Sequence, residues 1–249
     1  MSRVAIVTGS SSGIGAATAL ELSRRGWSIV VNYSKSAEQA RAVVAQCRDA
    51  IAVQADVGRD AECRRLAQAA LEKWGRVDAL VNNAGATKFV PHAKLDELSD
   101  DDFLRIYRVN VVAAFQMTRA CAPALKETRG AVVNVSSLAS FLGTGSSIAY
   151  AASKGALNTL TQSLARVLAP EARVNAVLPG VVDTPWMHAG YGDERFRELS
   201  ARYAANAPLK STCQPEDIAE TICWLIEGGK MVTGETVFVD AGFHLATPR

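Results

Sequence analysis

Aromatic residues are scarce, at 6% of the chain, and there are only three histidines, His92, His188 and His244. The histidines lie far apart and in no metal-ligand spacing, so no metal site is expected. Cysteine is sparse too. Cys47, Cys63, Cys121, Cys213 and Cys223 are odd in number, and no two stand close enough for a metal knuckle or a redox pair. They read as small, mostly buried apolar residues of a reducing compartment. Neither sign of charge dominates: 27 Lys and Arg face 25 Asp and Glu, a net charge of +2. That balance gives no electrostatic case for nucleic acid or an anionic membrane surface. No apolar run is long enough to span a bilayer. The opening Arg3-Val-Ala-Ile-Val-Thr-Gly9 enters a strand and a glycine turn at once, unlike a secretory leader, so the expected compartment is cytoplasmic.

What is present suits one large domain over residues 1–249, with 49% hydrophobic residues for its core. Strand-like and helix-like segments alternate along the whole chain. Strands are expected over 4–7, 28–32, 51–54, 77–81, 131–135, 173–178 and 235–240. Helices are expected over 13–25, 36–48, 60–74, 100–126, 148–168 and 215–227. The strands are short, apolar on both faces and rich in Val and Ile, as in a parallel sheet covered by helices on both sides. The repeated alternation predicts a doubly wound, Rossmann-type α/β fold. Residues 181–210 break the rhythm and are too long for an ordinary connection, which makes them the candidate substrate lid.

Two patterns carry chemistry. In Tyr150-Ala-Ala-Ser-Lys154 a phenol and an ammonium stand four residues apart, on one face of the expected helix. A free tyrosine, with a pKa of about 10, is a poor proton carrier at neutral pH. A nearby cation favours the phenolate, so the pair is expected to work as a general acid–base near neutrality. Ser137 precedes Tyr150 by thirteen residues. The second pattern is Thr8-Gly9-Ser10-Ser11-Ser12-Gly13-Ile14-Gly15, a glycine turn between the first strand and first helix. Bare backbone and free N–H groups at such a turn receive a pyrophosphate. Gly9, Ser11, Ser12, Gly13, Ile14 and Gly15 are the candidate cradle.

Thr8-Gly9-x3-Gly13-Ile14-Gly15, Asn82-Asn83-Ala84-Gly85, Asn110, Ser137, Tyr150-x3-Lys154 and Pro179-Gly180 occur in the order and spacing of the short-chain dehydrogenase/reductase family. The resemblance runs from about residue 3 to residue 242 and extends to the last strand, Val232 to Gly242, where Ala241 stands at a position that is often glycine. Pro208-Leu-Lys and Gln214-Pro-Glu-Asp-Ile-Ala resemble the 3-oxoacyl-(acyl carrier protein) reductase branch. The resemblance implies catalytic roles for Asn110, Ser137, Tyr150 and Lys154. Tyr150 would pass a proton to or from the substrate oxygen, and Lys154 would lower its pKa and hold the nicotinamide ribose. Ser137 would position the carbonyl, and Asn110 would hold a water of a proton relay. It also implies that Asp56 and Val57 meet the adenine, that Asn83, Ala84 and Gly85 line the ribose, and that Pro179, Gly180, Val182 and Thr184 hold the carboxamide. A homotetramer is implied as well.

NAD enzymes of this kind place Asp or Glu at the end of the second strand to bind the ribose 2′-OH. This chain has Asn32-Tyr33-Ser34-Lys35 there, and Ser34 and Lys35 suit a 2′-phosphate. NADP is therefore expected over NAD, although Ser12 stands where many NADP users carry Arg or Lys. The 181–210 segment holds Trp186, Met187, His188, Tyr191, Phe196 and Tyr203, which suits an apolar or ring-bearing substrate or packs the lid onto the body. Ala86 to Phe89 and Leu138-Ala139 are the expected opposite wall. Lys126, Arg129, Arg195, Arg197 and Arg202 are candidates for a basic rim that would meet an acidic carrier protein. The leading expectation is hydride transfer between NADP(H) and a carbonyl or secondary alcohol, with a 3-oxoacyl thioester or another ketone as substrate. The alternatives are an NAD-dependent dehydrogenase of a secondary alcohol, sugar alcohol or steroid, a retinal-type aldehyde reductase, and a dinucleotide-sensing regulator without turnover.

Overall fold

The computed structural model describes residues 2–246. Seven strands form one parallel sheet: β1 (Val4–Val7), β2 (Ser28–Tyr33), β3 (Ala50–Gln54), β4 (Ala79–Asn82), β5 (Ala131–Val135), β6 (Arg173–Pro179) and β7 (Thr236–Val239). Their order is β3-β2-β1-β4-β5-β6-β7, and every neighbouring pair runs parallel. The first three strands are laid down in one direction from β1 and the rest in the other. The chain reverses between β1 and β4, and a crevice opens there at the carboxyl ends of the strands.

Helices α1 (Gly13–Arg24), α2 (Ala37–Gln46) and α3 (Asp60–Trp74) follow the first three strands. The central strands are fully buried, and two apolar layers cover their two faces. One layer joins Val4, Ile6, Leu80 and Val132 to Leu66, Met117, Leu125 and Leu164. The other joins Ala5, Val7, Val81 and Val133 to Leu22 and to Ile218 and Ile222 of α10 (Pro215–Glu227). Burial on both faces explains the unbroken Val and Ile runs.

The expected helix over 100–126 is two helices. Ser99 caps α4 (Asp100–Tyr107) through a reciprocal bond with Asp102, a π-helical turn follows over Arg108–Val112, and α5 (Ala113–Thr128) continues. The 181–210 segment is likewise helical. Thr184 caps α8 (Pro185–Tyr191), with Pro at its first position, and α9 (Asp193–Asn206) follows. Between these pieces lie α6 (Ala139–Leu142), which follows β5, and α7 (Ile148–Leu168).

Candidate active site

The glycine turn after β1 is fastened from three sides. Asn32 Oδ1 accepts the Gly9 amide at 3.0 Å, and Asn32 Nδ2 donates to the Ala55 carbonyl at 3.1 Å. Asn83 Nδ2 donates to the carbonyls of Thr8 and Gly9 at 2.9 and 3.0 Å. Thr8 Oγ1 accepts the amides of Asn83 and Ala84 at 2.9 and 3.0 Å. Gly9 and Gly13 adopt φ of +60° and +54°, which L side chains rarely adopt. A Cβ on Gly15 would collide with Asn83 and the Gly9 carbonyl. Ser12 begins α1 without capping it through its side chain, so the first amides of the helix face the crevice without a side-chain acceptor. This backbone fits the pyrophosphate of a dinucleotide.

At the far end of the crevice, Ser34 and Lys35 are exposed beyond β2. An open cleft there is lined by Ser34, Gln54, Asp56, Arg59, Glu62 and Arg65. Asp56 accepts the Gly58 amide at 3.0 Å and stands 3.7 Å from Arg59, while Glu62 accepts the Asp56 amide at 2.6 Å. Across the crevice, Thr184 packs beside Gly13, so the Pro179–Thr184 stretch meets the glycine turn. Two expected contact residues have their side chains in the core: Val57 and Val182 are buried and offer only backbone. Ala84 closes over Gly9, and Gly85 is exposed beside Asn110.

Ser137, Tyr150 and Lys154 meet at the carboxyl end of β5. Ser147 Oγ accepts the Tyr150 amide at 3.3 Å and fixes where α7 begins. Ser136 Oγ donates to the Lys154 carbonyl at 3.2 Å and ties α7 to β5. Ser137 Oγ accepts the Ala139 amide at 3.1 Å, and the Ser137 hydroxyl lies beside Tyr150, where it acts to lower the phenol pKa. Lys154 Nζ donates to the Val135 carbonyl at 2.7 Å and lies 5.6 Å from the centre of the Tyr150 ring. Among the described residues no carboxylate forms an ion pair with it. Tyr150 and Lys154 are only 8% and 4% exposed.

Burial works against one expectation. The proximity of Lys154 predicts a lowered Tyr150 pKa, whereas burial pushes the phenol up to about 12, with the Ser137 hydrogen bond opposing it. Burial lowers Lys154 to about 8. The phenol is thus a proton-bearing group at neutral pH, and the lysine is still largely charged.

Asn110 lies in the π-helical turn and is 2% exposed. Its Oδ1 accepts the Ala86 amide at 2.7 Å, and its Nδ2 donates to the Ala86 carbonyl at 3.0 Å and to Ser153 Oγ at 2.9 Å. Ser153 in turn donates to the Tyr150 carbonyl at 2.7 Å. Both side-chain N–H groups of Asn110 are therefore committed to bracing the Ala86 loop against α7.

With this geometry in place, likeness to known proteins becomes informative. A family profile described as enoyl-(acyl carrier protein) reductase matches residues 9–244. A Streptomyces violaceoruber protein named as a candidate ketoacyl reductase 2 of the granaticin polyketide synthase is 42% identical over 243 residues, 97% of this chain and 96% of that protein. A 3-oxoacyl-(acyl carrier protein) reductase of Staphylococcus aureus is 33% identical, covering 98% of this chain and 99% of its own. The crystal structure of a Burkholderia xenovorans protein titled as a candidate short-chain dehydrogenase/reductase superposes with a TM-score of 0.91 at 43% identity, over 98% of this chain and 99% of the other. The chain belongs to the short-chain dehydrogenase/reductase family.

As a member of that family it is an oxidoreductase, with ketoacyl reductases among its relatives. Several contacts of this short-chain dehydrogenase/reductase join residues far apart in the chain. The buried pair Asn82 and Asn134, joined at 2.8 Å, braces β4 to β5 and reaches Thr161 of α7 through Asn134 Nδ2, also at 2.8 Å. Phe89, from the irregular stretch after β4, packs on the backbone of α8 at Gly190. Two lid aromatics do not face the site. Phe196 packs beside His188, and Tyr203 stacks on Phe243 and donates to the Asp240 carbonyl at 2.7 Å. Lys126 and Arg129 end α5 at the amino-terminal edge of β5, opposite the site, so they form no rim around it.

Proposed function

We propose that this enzyme reduces ketones with a nicotinamide dinucleotide, preferring NADP(H) to NAD(H). The buried, proton-bearing Tyr150 between Ser137 and Lys154 carries the reading. The bound nicotinamide supplies the hydride. Ser137 donates a hydrogen bond to the substrate oxygen and holds the carbonyl against Tyr150, as a preset donor does for a developing alkoxide. Tyr150 gives its proton to that oxygen, and burial keeps it protonated at neutral pH until it does so. Lys154 stabilises the phenolate left behind and holds the nicotinamide ribose. Asn110 holds the water of the proton relay; its two side-chain N–H groups are committed, and Oδ1 keeps a second acceptor site.

Gly9, Ser11, Ser12, Gly13, Ile14 and Gly15 hold the pyrophosphate, and Asp56, Val57, Asn83, Ala84 and Gly85 line the adenosine. Pro179, Gly180, Val182 and Thr184 hold the carboxamide, and Tyr33, Ser34 and Lys35 face the 2′ position. The NADP preference is supported by the exposed Lys35 and Ser34, and by the absence of a carboxylate at the end of β2. Ketoacyl reductases among the relatives support a 3-oxoacyl thioester or another ketone as substrate. The Tyr150-x3-Lys154 spacing favours carbonyl over enoyl reduction, and residues 181–210 act as the substrate lid.

The exposed Phe103, Leu104, Tyr107 and Phe115 of α4 and α5, with Val167 of α7, support a homotetramer, which light scattering tests. We place the enzyme in the cytoplasm; no helix among the described residues is long and apolar enough to cross a membrane. The deciding experiment follows NADPH and NADH oxidation over a panel of ketones, thioesters and quinones. Faster NADPH oxidation dependent on a ketone supports the proposal. Nucleotide binding with no ketone-dependent oxidation contradicts it.

A further inference from the structure

Four rings stand in an edge-to-face row that starts at the proton donor. Tyr150 meets Trp186 with ring centres 5.8 Å apart, Trp186 meets Phe89 at 6.1 Å, and Phe89 meets Tyr191 at 4.9 Å. The rings come from three separate parts of the chain: α7, the stretch after β4, and α8. Their placement is firm. Thr87 and Ser146 share a hydroxyl hydrogen bond of 2.7 Å, and the Val90 amide donates to the Ser146 carbonyl at 2.8 Å, which pins the stretch carrying Phe89. Gly190 lets the Phe89 ring lie directly on the α8 backbone, where any Cβ would overlap it.

The charged side chains near the row stand at its margins. Lys88 turns away to Asp102 at 2.7 Å, and Arg195 lies over the Tyr191 ring at the outer end. Trp186 keeps 43% of its surface exposed. Its edge contact with Tyr150 sets this partly open indole beside the proton donor. Fixed aromatic rings with open faces receive other flat rings in stacked or edge-to-face geometry. They offer a flexible alkyl chain no such directional fit.

Resting on the carbonyl-reductase reading, we propose that this aromatic row, centred on Trp186, selects neutral ring-bearing ketones in which the ring adjoins the reacting carbonyl. The substrate class is then an aryl or fused-ring ketone rather than a linear 3-oxoacyl chain. Trp186 acts by discriminating between substrates and takes no part in the proton transfer.

The test compares two ketones of ten carbons, α-tetralone and methyl octyl ketone, with wild-type enzyme, Trp186→Ala and Trp186→Phe. The wild type is expected to favour α-tetralone at least tenfold in kcat/KM, chiefly through KM. Trp186→Ala is expected to erase most of that ratio, and Trp186→Phe to keep it within about threefold. Calorimetric binding of both ketones to the nucleotide-loaded Tyr150→Phe variant reads the wall without the chemistry. Selective binding of α-tetralone there, even with no turnover by the wild type, upholds the wall and overturns only the reductase reading. Equal or tighter binding of the linear ketone overturns the wall, as does a Trp186→Ala variant that loses both ketones alike.

Discussion

Lys154 donates to the main-chain oxygen of Val135 at 2.7 Å, so the ammonium one turn beyond Tyr150 is anchored to the end of β5 rather than paired with a carboxylate. An ammonium held this way in a buried site has a lowered pKa, here about 8. Lys154 is charged below that value and loses its proton above it. Ketone reduction should therefore fall as pH rises from about 7 to about 9.5, with an apparent pKa near 8 in kcat/KM. A profile that stays flat across this range contradicts the assignment.

Asn32 is the clip that shapes the glycine turn. It is buried, and its side chain serves the Gly9 amide and the Ala55 carbonyl. Asn32→Ala leaves these groups buried without partners, at a cost of roughly 1–3 kcal/mol. A lower denaturation midpoint together with weaker nucleotide binding is expected. If both stay at wild-type values, the clip has no energetic weight.

Beyond the end of β2, Lys35 is exposed, and the proposed NADP preference assigns its charge to the 2′-phosphate. Lys35→Glu should weaken NADPH binding about tenfold or more while changing NADH binding far less. Titrations of both nucleotides measure the ratio. Equal losses for the two would mean that Lys35 does not read the 2′ group.

His188 of α8 is held between two carboxylates, Asp183 at 2.9 Å and Asp193 at 2.7 Å, with Phe196 against its ring. Ionised carboxylates only accept, so the doubly protonated ring satisfies both, and its hydrogen bond to Asp183, followed by that to Asp193, raises the His188 pKa. The other charged neighbour, Arg197, turns back to the Asp193 carbonyl at 3.3 Å. A raised pKa means that the clamp is complete below about pH 6.5 and is lost as pH rises through the folded value. Amide exchange in α8 should accelerate across that upper range, and His188→Phe should abolish the dependence. Exchange that accelerates equally in the variant assigns the effect elsewhere.

The layered fold was legible because its strands are buried on both faces, which leaves a direct mark in composition. Val4 to Val7 and Ala131 to Val135 could hardly be anything else. The break inside 100–126 left no mark, since a π-helical turn at Arg108 to Val112 inserts its extra backbone without disturbing side-chain character. The α8–α9 segment reads from sequence as a lid without defined helices, although Thr184-Pro185 is a cap and first-turn signal that marks the start of α8. In the site, Ser137, Tyr150 and Lys154 stood out by spacing. The raised Tyr150 pKa did not, because neighbours in sequence suggest charge interactions and say nothing about desolvation. Phe89, Asn32, Asn82 and Asn134 act through partners distant in the chain, and no local pattern announces such contacts.

The most direct test of the account is Tyr150→Phe, which removes the proton donor and little else. We expect ketone-dependent NADPH oxidation to drop by about a thousandfold, with NADPH binding and the fold intact. A variant that still reduces ketones within about tenfold of the wild-type rate would contradict the assignment of Tyr150 as the proton donor.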